Sequence, residues 1–143
     1  MQDKIIFIPV FLMVLLTAIV WARMLQVRVA AMKKIRLHPE KMKSQQAKAL
    51  LPEAANIPAE NFINIFEVPI LFYVLIGFML ITEQVSDFNV FAAFVFVFLR
   101  YMHSFIALTY NKVTQRFLVY VLGTLVLWAM WGHFAFQLFK PVL

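Results

Sequence analysis

The chain has no cysteine among its 143 residues. That excludes disulfides, thiolate metal sites and a cysteine nucleophile of its own, and says nothing about compartment. Charge is scarce as well: Asp, Glu, Lys and Arg make up 14% of the residues, against about 25% in a soluble domain. Only three glycines occur, Gly77, Gly123 and Gly132, each isolated. No Gly-rich phosphate loop, internal repeat or low-complexity tract is present. What is abundant is apolar, at 64% of the residues. The composition describes an integral membrane protein with one domain over residues 1–143. The net charge of +6 reads as a topological signal, not a nucleic-acid footprint, because the charges cluster beside apolar segments.

Four such segments cover about 5–31, 62–82, 88–110 and 117–139. The first runs about Ile5–Ala22, with an apolar continuation to Met32 interrupted by Arg23, Gln26 and Arg28. Eighteen residues at about 1.5 Å each give roughly 27 Å, just enough to cross. A cleaved signal peptide fits less well, since Met1–Lys4 carries one acid and one base and no small-x-small site precedes Trp21–Arg23. Residues 33–60 read as a solvated basic connector broken by Pro39, Pro52 and Pro58. The alternative there is a short amphipathic helix around Glu40–Leu51 lying at the headgroups. Pro69 is expected to kink the second span and to leave the Ile65 carbonyl without its helical donor. Trp128 and Trp131 read as an interface belt and His133 as a headgroup-level residue. The glycines are expected at close helix contacts.

Eight of the 13 basic residues lie between Arg23 and Lys48, and Arg100, Lys112 and Arg116 add three more. The positive-inside rule places both basic links in the cytoplasm and both termini outside.

Polar residues inside such spans are costly, about 2.5–3.5 kcal/mol for a carboxylate at mid-membrane on insertion scales. Spacings of three put Asn61, Asn64 and Glu67 on one face of the second span. Arg100, His103, Ala107 and Tyr110 share a face of the third. Glu67 lies about 8 Å into its span from the basic end and Arg100 about 15 Å into its own. The simplest expectation is that the stripes meet and that Glu67 and Arg100 form a buried structural pair. Such a pair costs about 3–5 kcal/mol to break from one side. It serves as polar glue, lines a ligand cavity, or does both. His38, His103 and His133 lie at different depths, so no metal site is expected. Arg116, heading the fourth span, either anchors the helix by charge or stabilises an anion or thiolate. A thiol with pKa near 8.5 is acidified by a guanidinium and helix N-terminal amides.

The motif Asn64-Ile-Phe-Glu67-Val-Pro69, the pair Arg100-Tyr-Met-His103 and the following Arg116, in that order on four spans, resemble the MAPEG family. These are membrane-associated proteins in eicosanoid and glutathione metabolism, and the wording looks most like small bacterial members. The resemblance covers essentially the whole chain. It implies an all-α four-transmembrane-helix bundle, a homotrimer, and an inner-membrane location. It also implies glutathione as the bound thiol, in a site between neighbouring subunits, with no metal. Asn64, Glu67, Arg100, His103 and Tyr110 would then be ligand-binding residues and Arg116 the catalytic one. The partners implied are membrane lipid and a lipophilic small molecule, with no nucleic acid. The function implied is a glutathione-dependent transferase or peroxidase acting on lipophilic electrophiles. The alternative is a non-catalytic membrane protein that binds lipid or a partner membrane subunit. Where eicosanoid-type members carry Arg, Arg and Tyr, this chain has Glu60, Ile63 and Ala107.

Overall fold

The structure is a computed structural model and describes residues 2–36, 38, 49 and 51–140. The amphipathic helix expected around Glu40–Leu51 falls almost wholly outside the described residues. The described chain forms α1 (Gln2–Ile5), α2 (Phe7–Lys34), α3 (Glu53–Phe66), α4 (Val68–Ile81), α5 (Asp87–Leu108) and α6 (Val113–Phe139). No strand occurs among the described residues. Among the described residues, four stretches are long and apolar enough to cross a membrane: Phe7–Lys34, Glu53–Ile81, Asp87–Leu108 and Val113–Phe139. This is a multi-pass, all-α membrane protein.

α2 has 28 residues, about 42 Å at 1.5 Å per residue, well beyond a hydrocarbon core of about 30 Å. Its last turns, with Lys33 and Lys34, therefore project from the apolar layer. α5 begins cleanly because Ser86 caps it, its Oγ accepting the Asn89 N–H at 3.2 Å. Asp87 in the first turn complements the helix dipole.

The second span departs from expectation. It starts at Glu53, after Pro52, so the end of the presumed connector is helix and Pro58 lies inside α3. It is not one kinked helix. It breaks at Glu67, whose φ of −83° and ψ of −91° belong to neither flanking helix. Pro69 cannot donate to the Ile65 carbonyl and would crowd it in a continuous helix. At the start of α4 the same proline is well tolerated.

The core is built from Met13, Phe72, Leu75, Met79, Phe96, Leu127 and Met130, all buried. The Phe72 and Phe96 rings stack at 4.9 Å between centroids, a geometry that adds about 0.5–1.5 kcal/mol to area burial. Trp131 belongs to this interior and not to an interface belt. Its ring meets Phe78 and Phe134 edge-on at 6.1 and 6.3 Å. Trp128 does stay exposed. Phe91, Phe98, Phe105, Phe117, Leu125 and Phe136 are also exposed, as expected of side chains facing lipid. Of the glycines, Gly123 marks a close contact, whereas a Cβ on Gly77 or Gly132 would meet nothing within 4 Å.

Candidate functional site

Among the described residues α5 and α6 form the most extensive helix pair, and the polar residues collect at their shared face. Arg100 and His103 are one turn apart on α5. Both are buried, Arg100 at 3% exposure. The first half of α6 supplies the other wall with Arg116, Tyr120, Gly123 and Thr124.

The Arg100 guanidinium sits between two rings. Its Cζ lies 5.1 Å from the Phe96 centroid and 5.0 Å from that of Tyr120. Nη2 donates to Thr124 Oγ1 at 3.4 Å. Gly123 lies against it: a Cβ there would stand 3.4 Å from Nη2 and 3.6 Å from Nε, in ordinary contact. Nε itself is buried without an acceptor. Cation–π contacts in a desolvated setting contribute about 2 kcal/mol each, comparable to the cost of an arginine at mid-membrane on insertion scales. The aromatic sandwich thus does the work expected of a carboxylate.

His103 Nδ1 lies 3.2 Å from the Arg116 carbonyl oxygen. A carbonyl only accepts, so Nδ1 carries the hydrogen and Nε2 is left with its lone pair in the neutral ring. Nε2 is buried and has no partner. The His103 and Tyr120 rings are 6.0 Å apart. Arg116 is half-buried and its Nη1 donates to Asn111 Oδ1 at 2.8 Å. Asn111 adopts a φ of 46°, the left-handed conformation that asparagine tolerates best after glycine. That turn carries the chain from α5 into α6 and sets Asn111 beside Arg116.

From α3, Asn61 is buried and its Oδ1 accepts from Ser104 Oγ at 3.4 Å. Its Nδ2 has no partner. Exposure then rises along the helix, with Asn64 half-buried and Glu67 exposed. The expected face is lost because the backbone turns at Glu67.

The structure therefore brings Arg100, His103 and Arg116 together and keeps Glu67 apart from them. The expected Glu67–Arg100 pair is not formed within the chain: Arg100 meets Phe96, Tyr120 and Thr124, and Glu67 faces outward. Tyr110 lies beyond the end of α5 and is 56% exposed, so it does not continue the Arg100–His103 face. Sequence reasoning missed Phe96, Tyr120, Thr124 and Asn111. One signal was available. Arg116, Tyr120, Gly123 and Leu127, spaced four, three and four, trace one face of α6. Among the described residues, no group of three or more His, Cys, Asp or Glu could hold a metal ion.

Residues 6–136 match the MAPEG family. The chain belongs to that family. No curated protein and no solved structure gives a match. As a MAPEG protein it has the four spans; Asn64 lies on α3, Glu67 at the break that follows it, and Arg100 and His103 on α5, in the order the sequence suggested.

Proposed function

We propose that this MAPEG protein is a glutathione-dependent transferase or peroxidase acting on lipophilic electrophiles, with its site against the α5–α6 face. The observation that carries this reading is a set of buried polar atoms without partners. Arg100 Nε, His103 Nε2 and Asn61 Nδ2 are all buried and unpaired. Buried polar groups are normally satisfied, and each orphan costs about 1–3 kcal/mol. On the α5–α6 face, the donor Arg100 Nε, the acceptor His103 Nε2 and the neighbouring Arg116 fit a ligand that carries both carboxylate and amide groups, as glutathione does.

Glutathione supplies the thiol. Arg116 is the residue assigned to hold it as thiolate, aided by the N-terminal amides of α6. Its bond to Asn111 restricts the side chain, so little ordering remains on binding. Arg100 gives positive charge fixed by its aromatic walls, and His103 gives a hydrogen-bond acceptor. Catalysis then consists of thiol activation and of holding the thiolate beside an electrophile that arrives from the lipid.

Glu67 extends the reading to assembly. It is exposed midway along a helical stretch able to span a membrane, and an uncovered carboxylate there is expensive. A neighbouring copy in a homotrimer, with Asn64 and Glu67 turned toward a ligand shared between subunits, would cover it. The resemblance to small bacterial members supports a bacterial inner membrane, and the charge distribution supports basic links in the cytoplasm and both termini outside. Ala107 and the exposed Tyr110 favour the second reading, a non-catalytic lipid- or subunit-binding protein.

Equilibrium dialysis separates the two. Glutathione should bind saturably, and Arg100→Leu should weaken binding at least tenfold, the loss for about 1.4 kcal/mol. Absence of saturable binding to the intact oligomer would leave the non-catalytic reading standing.

A further inference from the structure

A second feature lies outside the Arg100–His103 cluster. Three cavities follow one another along α5, the first where α2, α3 and α5 meet and the other two between α2 and α5. The first, of about 250 Å³, is bounded by Arg23 of α2, Ala54 and Pro58 of α3, and Ala107, Thr109 and Asn111. It shares Leu108 and Thr109 with the second, of about 200 Å³, whose walls include Leu16, Val20 and Phe105. The second shares Tyr101 with the third, of about 540 Å³, bounded by Leu12, Phe94, Val97 and Phe98. They make one trough. Tyr101 pins its two sides by donating its hydroxyl to the Leu12 carbonyl at 2.8 Å. That bond occupies the polar tip of the ring and leaves its apolar body as trough wall.

Polarity falls in one direction along this trough. The first cavity holds a guanidinium, a hydroxyl and an amide. The second has one polar side chain apart from Tyr101 and Thr109, Ser104, and the third has only the tied Tyr101. From Phe94 to Leu108 is about 21 Å at 1.5 Å per residue. One leaflet with its headgroups is about 20–22 Å deep, half of a 40–45 Å bilayer. The polar end stands where α5 stops and the basic link begins, at headgroup level. Water does not settle in the apolar second and third cavities. A packed helix would meet an apolar seat throughout and would have no use for a cation at one end.

We propose that this trough holds one anionic glycerophospholipid, its phosphate at Arg23 and Asn111 and one acyl chain lying along α5 past Tyr101 to Phe98. Arg23 provides a charge-assisted bond to phosphate oxygen, for which a guanidinium is well shaped. The neighbouring Lys112 and Arg116 add to the positive potential. The site does not use the Arg100–His103 face, which is turned to α6; it meets that site only at Asn111, whose Oδ1 accepts from Arg116, leaving its amide hydrogens for phosphate.

The test uses the full chain in nanodiscs containing phosphatidylglycerol with a diazirine in its acyl chain, and in parallel the matching phosphatidylcholine. After illumination, adducts are mapped by mass spectrometry. Phosphatidylglycerol should label Leu12, Phe94 and Phe98, the first two only half-buried, in preference to the exposed Phe117, Leu125 and Phe136 of α6. Phosphatidylcholine should label both faces alike. Arg23→Gln should reduce the phosphatidylglycerol preference about fivefold, the factor for one cation at an anionic lipid, and Arg23→Lys should restore most of it. Ile19→Trp, which fills the middle cavity from an exposed position, should remove adducts beyond it. Identical maps for the two lipids, an Arg23→Gln map like the wild type, or a trough labelled by neither lipid because a second copy covers it, would each overturn the proposal. Glutathione dialysis on the same preparations reports separately on the other site.

Discussion

The guanidinium of Arg100 lies 5.0 Å from the centre of the Tyr120 ring, and this contact across α5 and α6 replaces the carboxylate that a buried arginine usually requires. The ring offers its negative face, needs no desolvated anion, and holds the cation where Nε stays free. An arginine paired with a carboxylate would be neutralised and fully engaged. One held by rings keeps both its charge and a donor for a ligand.

If the ring is what matters, Tyr120→Phe should change the melting temperature little, because the hydroxyl is not part of the contact. Tyr120→Leu should cost about 2 kcal/mol, the value of a desolvated cation–π contact. Thermal unfolding in detergent distinguishes them. Equal losses for Phe and Leu would move the stabilisation to the hydroxyl.

Gly123 lies against the same guanidinium. A Cβ at 3.4 Å from Nη2 is ordinary contact, and alanine is favoured over glycine in helices by about 1 kcal/mol. Gly123→Ala should therefore be neutral or mildly stabilising. Gly123→Leu has no room without moving Arg100, and should cost about 1–3 kcal/mol, the range for overpacking. Differential scanning of both variants checks the ordering.

The separation of Glu67 from Arg100 also has a measurable consequence. In a double-mutant cycle of Glu67→Gln and Arg100→Leu on the isolated protomer, the two changes should add within about 0.5 kcal/mol, as expected for sites without shared partners. A coupling of 3–5 kcal/mol would restore the ion pair that the sequence suggested.

Much of this arrangement could be read from residue order. The four spans followed from hydropathy, and the burial of Asn61, Arg100 and His103 from their place inside apolar segments. The partner of Arg100 was misjudged for a physical reason. Charge is the most visible complement to charge, and Glu67 is the nearest acid at a suitable depth. Phe96, Tyr120 and Thr124 are ordinary residues in membrane helices, and their role exists only once α5 and α6 are packed. The break at Glu67 was half legible. Pro69 signalled a disturbance, but whether a helix kinks or restarts depends on how neighbouring helices hold the two pieces. Trp131 looked like an interface residue by position alone, and its packing on Phe78 and Phe134 turned it inward.

The most direct measurement of the central claim is the ultraviolet absorbance of glutathione thiolate formed on mixing with the intact oligomer at neutral pH. Wild-type protein should generate a saturable thiolate signal. Arg116→Ala should lose it by roughly a hundredfold, within the range for removing one electrostatic stabiliser of a developing anion, while retaining glutathione binding and the oligomer. A thiolate signal unchanged in Arg116→Ala, or none from wild-type protein that binds glutathione, would contradict the account.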